Sequence, residues 1–427
     1  MSTDEKHSLP ARDARVSWHP YTQHALEEQP LPIASAHDAT LVLEDGRELI
    51  DGISSWWAIL HGHGREEIVQ AMESQARKLD HVLFAGTTHE PAVALAEALV
   101  DVAPGQLSRV FFSDNGSAAV EIALKMAYQR HVHAGEPDRR VFISLEGSYH
   151  GDTFGAMSLG DPDPFFLPFA PLLFEVARVN PVLGEIPAAI ERLGKQAAGV
   201  VLEPLVQGAA GMRMYSTEVL VEARAACDAA DIPLIIDEVM TGFGRTGTLF
   251  ACEQAGVAPD LMAIAKGLTG GTMPLAATLA TEEIFETFLS QDRAKAFFHG
   301  HTFTAHPIGC AVGLASLKIN RSEDTPEKLN AIGEQIHTRV ADHLGARAKT
   351  LALRQLGGIV ALDLPTAKDE SPGYLAGQSL RLRQSAIERR VLLRPLGNVL
   401  YAMPPACTTE AECDKIAAVM IELIESA

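Results

Sequence analysis

The chain of 427 residues is 47% apolar and 21% charged, the balance of an ordinary globular protein and not of a disordered one. Its 35 basic and 55 acidic residues leave a formal charge of -20, which argues against nonspecific nucleic-acid binding and against an anionic membrane surface. The length exceeds one simple core, so a large domain plus a smaller one is expected. The opening Met1-Ser-Thr-Asp-Glu-Lys lacks the apolar core of a signal peptide. No uninterrupted apolar run approaches the ~18 residues that span a bilayer. The scattered cysteines Cys227, Cys252, Cys310, Cys407 and Cys413 show no paired zinc-type spacing. A cytoplasmic protein with reduced thiols is expected.

In chain order, the first ~15 residues are polar and predict a mobile arm. Ile33 to Asp51 reads as short strands around a turn at Asp45-Gly46, since Asp-Gly suits a tight reversal. From about His61 to Ser316, strand-like and helix-like segments alternate. Arg109-Val-Phe-Phe precedes a helix from Ser117 to about Arg130, and Ala198-Gly-Val-Val-Leu precedes Glu203. Such alternation predicts an α/β layer with a mostly parallel sheet. Beyond residue 317 come a helix from Thr325 to Leu344, strands at Ile359-Val-Ala-Leu and Val391-Leu-Leu, and a final helix. That helix carries Ile416, Val419, Met420, Leu423 and Ile424 on one face. The expected organisation is a large domain over residues 61–316, flanked by a small α+β domain from both chain ends, residues 1–60 and 317–427.

Within the alternating region, Leu234-Ile-Ile-Asp237-Glu-Val-Met-Thr-Gly-Phe-Gly-Arg245-Thr-Gly247 carries an acidic pair from an apolar strand into a glycine-rich turn. A second apolar segment, Leu261 to Ala265, ends on Lys266 beside Gly267. Strands of a parallel sheet present functional groups at their carboxyl ends, in the crevice outside the sheet. A carboxylate and a lysine at two such ends form the pair that a pyridoxal phosphate (PLP) enzyme needs. The lysine bonds to the cofactor aldehyde, and the carboxylate holds the ring nitrogen protonated. Lys266 alone would read as a surface lysine; Asp237 upstream and the flanking glycines favour catalysis. Asp237 stands first out of the sheet, with Glu238 beside it as the competitor.

Ser113-Asp-Asn-Gly116-Ser117 opens a helix and offers backbone N–H groups to a phosphate, although Asn-Gly-Ser alone is only a cap. Ser148-Tyr149-His150-Gly-Asp152-Thr153 supplies a ring to stack on the cofactor, with Asp152 behind it. His150 reads as a residue satisfying a backbone group. Glu203 places another carboxylate at a strand end, where it orders the substrate side. His61, His63, His299 and His301 invite a metal reading, but no carboxylate or cysteine set completes a sphere, so no metal is expected. Adjacent Trp56 and Trp57 sit badly on one buried face, so at least one is expected to line an apolar pocket. Arg394, near Tyr401, is a candidate clamp for a substrate carboxylate.

Together these motifs resemble the class III (subgroup II) PLP-dependent aminotransferases over almost the whole chain, most specifically from Leu234 to Ala280. The resemblance narrows through Trp18-His-Pro-Tyr-Thr22, Asp51-Gly-Ile-Ser-Ser-Trp-Trp57, the Tyr149–Met157 and Val206–Tyr215 stretches, and Arg394–Pro405. These point to members that transfer an amino group from S-adenosylmethionine to 7-keto-8-aminopelargonate in biotin biosynthesis. The alternative is another ω-amino acid or diamine aminotransferase of the family. The resemblance implies fold type I of the PLP-dependent transferases, with Lys266, Asp237 and Tyr149 at the reacting centre. It also implies Gly116 and Ser117 at the phosphate, and Thr302 reaching the phosphate of the neighbouring subunit in a homodimer. Tyr21, Trp56, Tyr149 and Tyr401 would line the substrate pocket, and Arg394 would hold the carboxylate of the keto acid. Three positions depart from the commonest family pattern. His301 stands where proline is frequent, Ala305-His306-Pro307 replaces Gly-Asn-Pro, and Asn115 stands where serine is usual.

Overall fold

The computed structural model describes residues 8–27, 29–161, 165–366 and 375–426. Its centre is a seven-stranded sheet. The strands are β1 (Leu107–Ser113), β2 (Val141–Leu145), β3 (Val176–Val179), β4 (Ala197–Leu202), β5 (Leu234–Asp237), β6 (Leu261–Ile264) and β7 (Ala276–Thr281). Their spatial order is β1-β7-β6-β5-β4-β2-β3. β5 pairs parallel with β4 and β6, and β2 pairs parallel with β4 and β3. β7 is antiparallel to both β6 and β1. All strands but β7 therefore point the same way, and their carboxyl ends open on one edge.

β4, β5 and β6 are buried along their whole length. Strands covered on both faces read as continuous apolar runs, which is what these sequences show. Packing separates the faces by alternation. Leu234, Ile236, Met262 and Ile264 join one core cluster, while Ile235, Leu261 and Ala263 join another. The second cluster is closed by Ala119, Val120, Ala123, Leu124 and Ala127 of helix Gly116–His133. This helix starts one residue earlier than expected from sequence, after Asn115, which caps it by accepting the Ala118 N–H at 2.9 Å, and it runs on to His133.

Both chain ends meet in a four-stranded sheet of Ile33–His37, Thr40–Leu43, Glu48–Asp51 and Val391–Leu392. The last two pair in parallel across the length of the chain. Gly46, at φ +80°, makes the turn between the second and third strands. A second small sheet joins Arg354–Leu356, Ile359–Asp363 and Val399–Ala402. Helices Thr325–Leu344 and Glu410–Ser426 pack together, the latter burying Ile416, Val419, Met420, Leu423 and Ile424.

One feature differs from the sequence reading. Part of the segment expected as a mobile arm is a short helix, Leu9–Asp13, capped by the Ser8 hydroxyl; residues 1–7 lie outside the described residues. The expected division at 316/317 falls inside helix Pro307–Ser322, whose buried Val312, Gly313, Ser316, Leu317 and Ile319 run on across it.

Candidate active site

The turns after β1, β2, β4, β5 and β6 converge on a cavity of about 690 Å³. Asp237 is the last residue of β5, and Lys266 opens the turn that follows β6. Lys266 adopts φ +41°, a left-handed value that a long side chain takes only where its surroundings impose it. Burial lowers its pKa, with the charges of Asp237 and Glu203 opposing that shift. No hydrogen bond engages its amine among the described residues, and Nζ lies 5.2 Å from the centre of the Trp57 ring.

Of the acidic pair, Asp237 faces the cavity and Glu238 does not. Glu238 is wholly buried behind the site, accepting the Cys252 N–H at 2.9 Å and the Thr241 hydroxyl. Asp237 Oδ2 lies 2.7 Å from His150 Nδ1, and Oδ1 accepts the Val239 N–H at 3.0 Å. This corrects the reading of His150 as a backbone partner: the imidazole is buried against a carboxylate. Burial opposes its protonation, yet the hydrogen bond and charge of Asp237 outweigh that and raise its pKa. Its Nε2 is buried without a partner among the described residues.

Glu203 accepts the Tyr149 N–H at 3.1 Å on one oxygen and the Gly208 N–H at 3.0 Å on the other. It thereby ties the turn after β2 to the loop after β4. Burial pushes its pKa up to about 7. At the start of helix Gly116–His133, the N–H groups of Gly116 and Ser117 have no acceptor among the described residues, while Asn115 takes that of Ala118. A Cβ on Gly116 would lie 2.6 Å from Val239 Cγ1, so only glycine fits there. Ser117 Oγ accepts the Thr153 N–H at 3.0 Å and lies 2.8 Å from Thr153 Oγ1.

A second cavity, of about 410 Å³, meets the first at Lys266, Tyr149, Trp57, Ala58 and Ala209. Its walls are largely aromatic. Tyr21 packs edge-on against Trp56 and Phe165, with ring centres 5.5 and 5.8 Å apart. The Tyr21 hydroxyl donates to Asp152 at 2.7 Å and lies 2.9 Å from the Tyr149 hydroxyl. Trp57 Nε1 donates to the Tyr401 hydroxyl at 3.0 Å. The Arg394 guanidinium lies 4.2 Å from the centre of the Trp56 ring and makes no ion pair among the described residues. Both tryptophans line this cavity, Trp57 buried and Trp56 partly open.

Lys266, Asp237, Tyr149, Gly116, Ser117, Tyr21, Trp56, Arg394 and Tyr401 are therefore brought together. Thr302 is not: it is exposed and lines neither cavity of its own chain. The paired histidines are apart from the chemistry. His61 lies 3.0 Å from the Ser316 hydroxyl, His63 2.9 Å from Asp51, and His299 3.0 Å from Lys125 Nζ. Phe165 lines the second cavity without any sequence signal having marked it, and Ala209, within the Val206–Tyr215 stretch, lines it without having been given a role.

The description "Aminotransferase class-III" fits residues 21–424 as a family model. The adenosylmethionine-8-amino-7-oxononanoate aminotransferase of Synechococcus elongatus is 47% identical over 423 residues, covering 96% of this chain and 98% of that protein. The crystal structure of the same-named enzyme from Methanocaldococcus jannaschii superposes with a TM-score of 0.92 at 36% identity, covering 98% of this chain and 99% of that one. A PLP-bound amine transaminase from an uncultivated Pseudomonas species gives 0.89 at 32% identity, covering 96% and 98%. The chain belongs to the class-III aminotransferase family, and its fold is fold type I of the PLP-dependent transferases.

The residues present fit PLP. An amine without a hydrogen bond among the described residues, a carboxylate backed by an imidazole, and the free N–H groups of Gly116 and Ser117 among those residues match the cofactor's aldehyde, ring nitrogen and phosphate.

Proposed function

We propose that the chain is a PLP-dependent aminotransferase that moves the amino group of S-adenosylmethionine to 7-keto-8-aminopelargonate, giving 7,8-diaminopelargonate in biotin biosynthesis. The observation that carries this reading is the position of Lys266, at the junction of the cavity that holds Asp237, His150 and Glu203 and an aromatic one. When bound, the cofactor supplies an electron-withdrawing ring that stabilises negative charge on the substrate carbon.

The chain supplies the rest. Lys266, its pKa lowered by burial, anchors the cofactor and carries a proton to and from the substrate carbon. Asp237 would meet the ring nitrogen, its carboxylate held in place because His150 and the Val239 N–H engage both of its oxygens. Tyr149 would stack on the ring, and Gly116 and Ser117 would hold the phosphate. Trp56, Tyr21 and Tyr401 wall the substrate cavity, which suits both a sulfonium donor and a long acyl chain. Arg394, without an acidic partner among the described residues, is available for the acceptor's carboxylate.

The exposed position of Thr302 supports a homodimer in which Thr302 completes the phosphate site of a second copy. The cysteines are all free, which agrees with a cytoplasmic setting, and among the described residues no helix is long and apolar enough to cross a membrane. The division into a large domain (61–316) and a small one (1–60 with 317–427) belongs to the same reading.

The test is product formation by PLP-loaded protein given 7-keto-8-aminopelargonate with S-adenosylmethionine, lysine, a diamine or a β-amino acid as donor. Diaminopelargonate formed with S-adenosylmethionine supports the proposal. Turnover only with the diamine or β-amino acid would replace it with the broader ω-aminotransferase activity.

A further inference from the structure

Helix Gly116–His133 turns Ala119, Val120, Ala123, Leu124 and Ala127 toward the sheet, and its other side carries a polar row. Every fourth residue makes that row: Ser117, Glu121, Lys125, Gln129 and His133. Residues four apart are neighbours on a helix surface, so the five form one ridge.

Two different segments are held on this ridge. Near the helix start, Ser117 Oγ accepts the Thr153 N–H, and Glu121 accepts the Thr153 hydroxyl at 2.8 Å and the Ala156 N–H at 3.1 Å. Further along, the ridge engages residues 287–299. Lys125 Nζ lies 3.0 Å from His299 Nδ1; an ammonium only donates, so the imidazole accepts. Gln129 donates to the Ala296 carbonyl at 3.2 Å, and His133 Nδ1 donates to the Thr287 carbonyl at 2.9 Å. Aromatic rings support these contacts. Phe297 packs edge-on against Phe111 of β1 and against Phe288, at 5.4 and 5.7 Å, and stacks with His299 at 5.9 Å.

Residues 287–299 are the stem of the turn that carries Thr302. The tip closes on itself: the His301 carbonyl accepts the Thr304 N–H at 3.2 Å, and the His301 N–H donates to Thr304 Oγ1 at 3.1 Å. Its shape is therefore local, while its place is set where the stem is held and where helix Pro307–Ser322 begins. Phe297 and His299 face inward and are half-buried. Phe298 between them is 76% exposed, and Thr302 and Phe303 are exposed as well.

We propose that Lys125, with Gln129 and His133, positions the Thr302 turn against the cofactor phosphate of a second copy. One helix then serves two cofactor sites, its own chain's through Gly116 and Ser117 and the second copy's through the ridge. The proposal rests on the homodimer reading of Thr302.

The test places each substitution on one chain of a mixed dimer, purified through two different affinity tags. A chain with Lys266→Ala cannot form the yellow lysine-bound cofactor, so that band reports only the other chain's site. In the first dimer the Lys266→Ala chain also carries Lys125→Met, and the other chain is unsubstituted. In the second, Lys125→Met sits on the chain that keeps Lys266. Titration with PLP should show an apparent Kd raised about three- to tenfold in the first dimer, the scale of one lost hydrogen bond. The second dimer should match a dimer that carries Lys266→Ala alone. A shift in the second dimer only, equal shifts in both, or none in either would overturn the proposal. His299→Leu removes the acceptor and keeps an apolar side chain beside Phe297, so the test stands if Lys125→Met does not fold. Thr302→Ala on the Lys266→Ala chain separates the two possible failures. If it weakens the other chain's site while Lys125→Met does not, the homodimer reading holds and the positioning role is wrong. If neither weakens that site, or the tagged chains do not copurify, the reading of Thr302 falls and the proposal with it.

Discussion

The two cavities that meet at Lys266 are built by different means. The inner one stands on strand ends: Asp237 and Lys266 leave neighbouring parallel strands, each fixed by pairing on both sides and by apolar packing on both faces. The outer one is gathered from distant parts of the chain. Its hydrogen bonds join Tyr21 to Tyr149 across 128 positions and Trp57 to Tyr401 across 344. The inner cavity places charge and protons with a precision that only a packed sheet provides, while the outer one sets shape with side chains that can be exchanged without touching the sheet. Substitutions inside should therefore act on kcat, and substitutions outside on KM.

The largest expected effect is inside. Lys266→Ala removes both the anchor and the proton carrier, and turnover should fall by at least ~10²–10⁴-fold, the usual range for general acid–base catalysis alone. Steady-state assays together with the visible absorption of the loaded protein check this; full activity would sink the mechanism. Next comes Asp237→Asn, which strips the charge that His150 supports. A charge-assisted hydrogen bond contributes about 1.5–3 kcal/mol, so kcat should drop roughly 10–100-fold with KM little changed. An effect confined to KM would erase the contrast between the cavities.

Outside, Arg394→Ala should raise the KM for the keto acid about tenfold or more and leave the donor half-reaction intact. Single-turnover mixing with the donor alone separates the two halves, and an unchanged keto-acid KM would remove Arg394 from the carboxylate role.

The smallest expected effect is a pH signature of the inner cavity. Burial raises the Glu203 carboxyl from 4.5 to about 7, so the folded protein holds this proton more tightly than the unfolded chain. Its contribution to stability is complete below the lower value and is lost as the pH rises through the higher one. Glu203→Gln should flatten that part of the profile, seen as a shallower fall of Tm between about pH 5 and about pH 8. A profile parallel to that of the unsubstituted protein would mean that Glu203 does not titrate there.

The same contrast explains what was legible in the sequence. Apolar runs that stop on Asp237 and Lys266 announce strand ends, and the parallel-sheet rule brings strand ends to one edge. Helix Thr325–Leu344 begins at the residue read from sequence, with Pro326 in its first turn and an apolar face that runs its length. The outer cavity left weaker traces. The aromatic residues of the Ser-Ser-Trp-Trp segment were visible, but its left-handed turn was not, because no glycine marks it. Arg245 stood in a conspicuous glycine-rich turn, yet its partners lie more than 150 positions away. His150 was read as satisfying a backbone group, and its partner is a carboxylate 87 positions on. Local pattern reveals what neighbours along the chain impose, and these residues answer to neighbours in space.

The measurement that bears most directly on the account is the visible spectrum of the purified, PLP-loaded protein before and after adding S-adenosylmethionine alone. The account predicts a yellow band from the lysine-bound cofactor that bleaches as the donor gives up its amino group. A band that is present but unmoved by S-adenosylmethionine would contradict the assigned donor, and the absence of any band from loaded protein would contradict the role of Lys266.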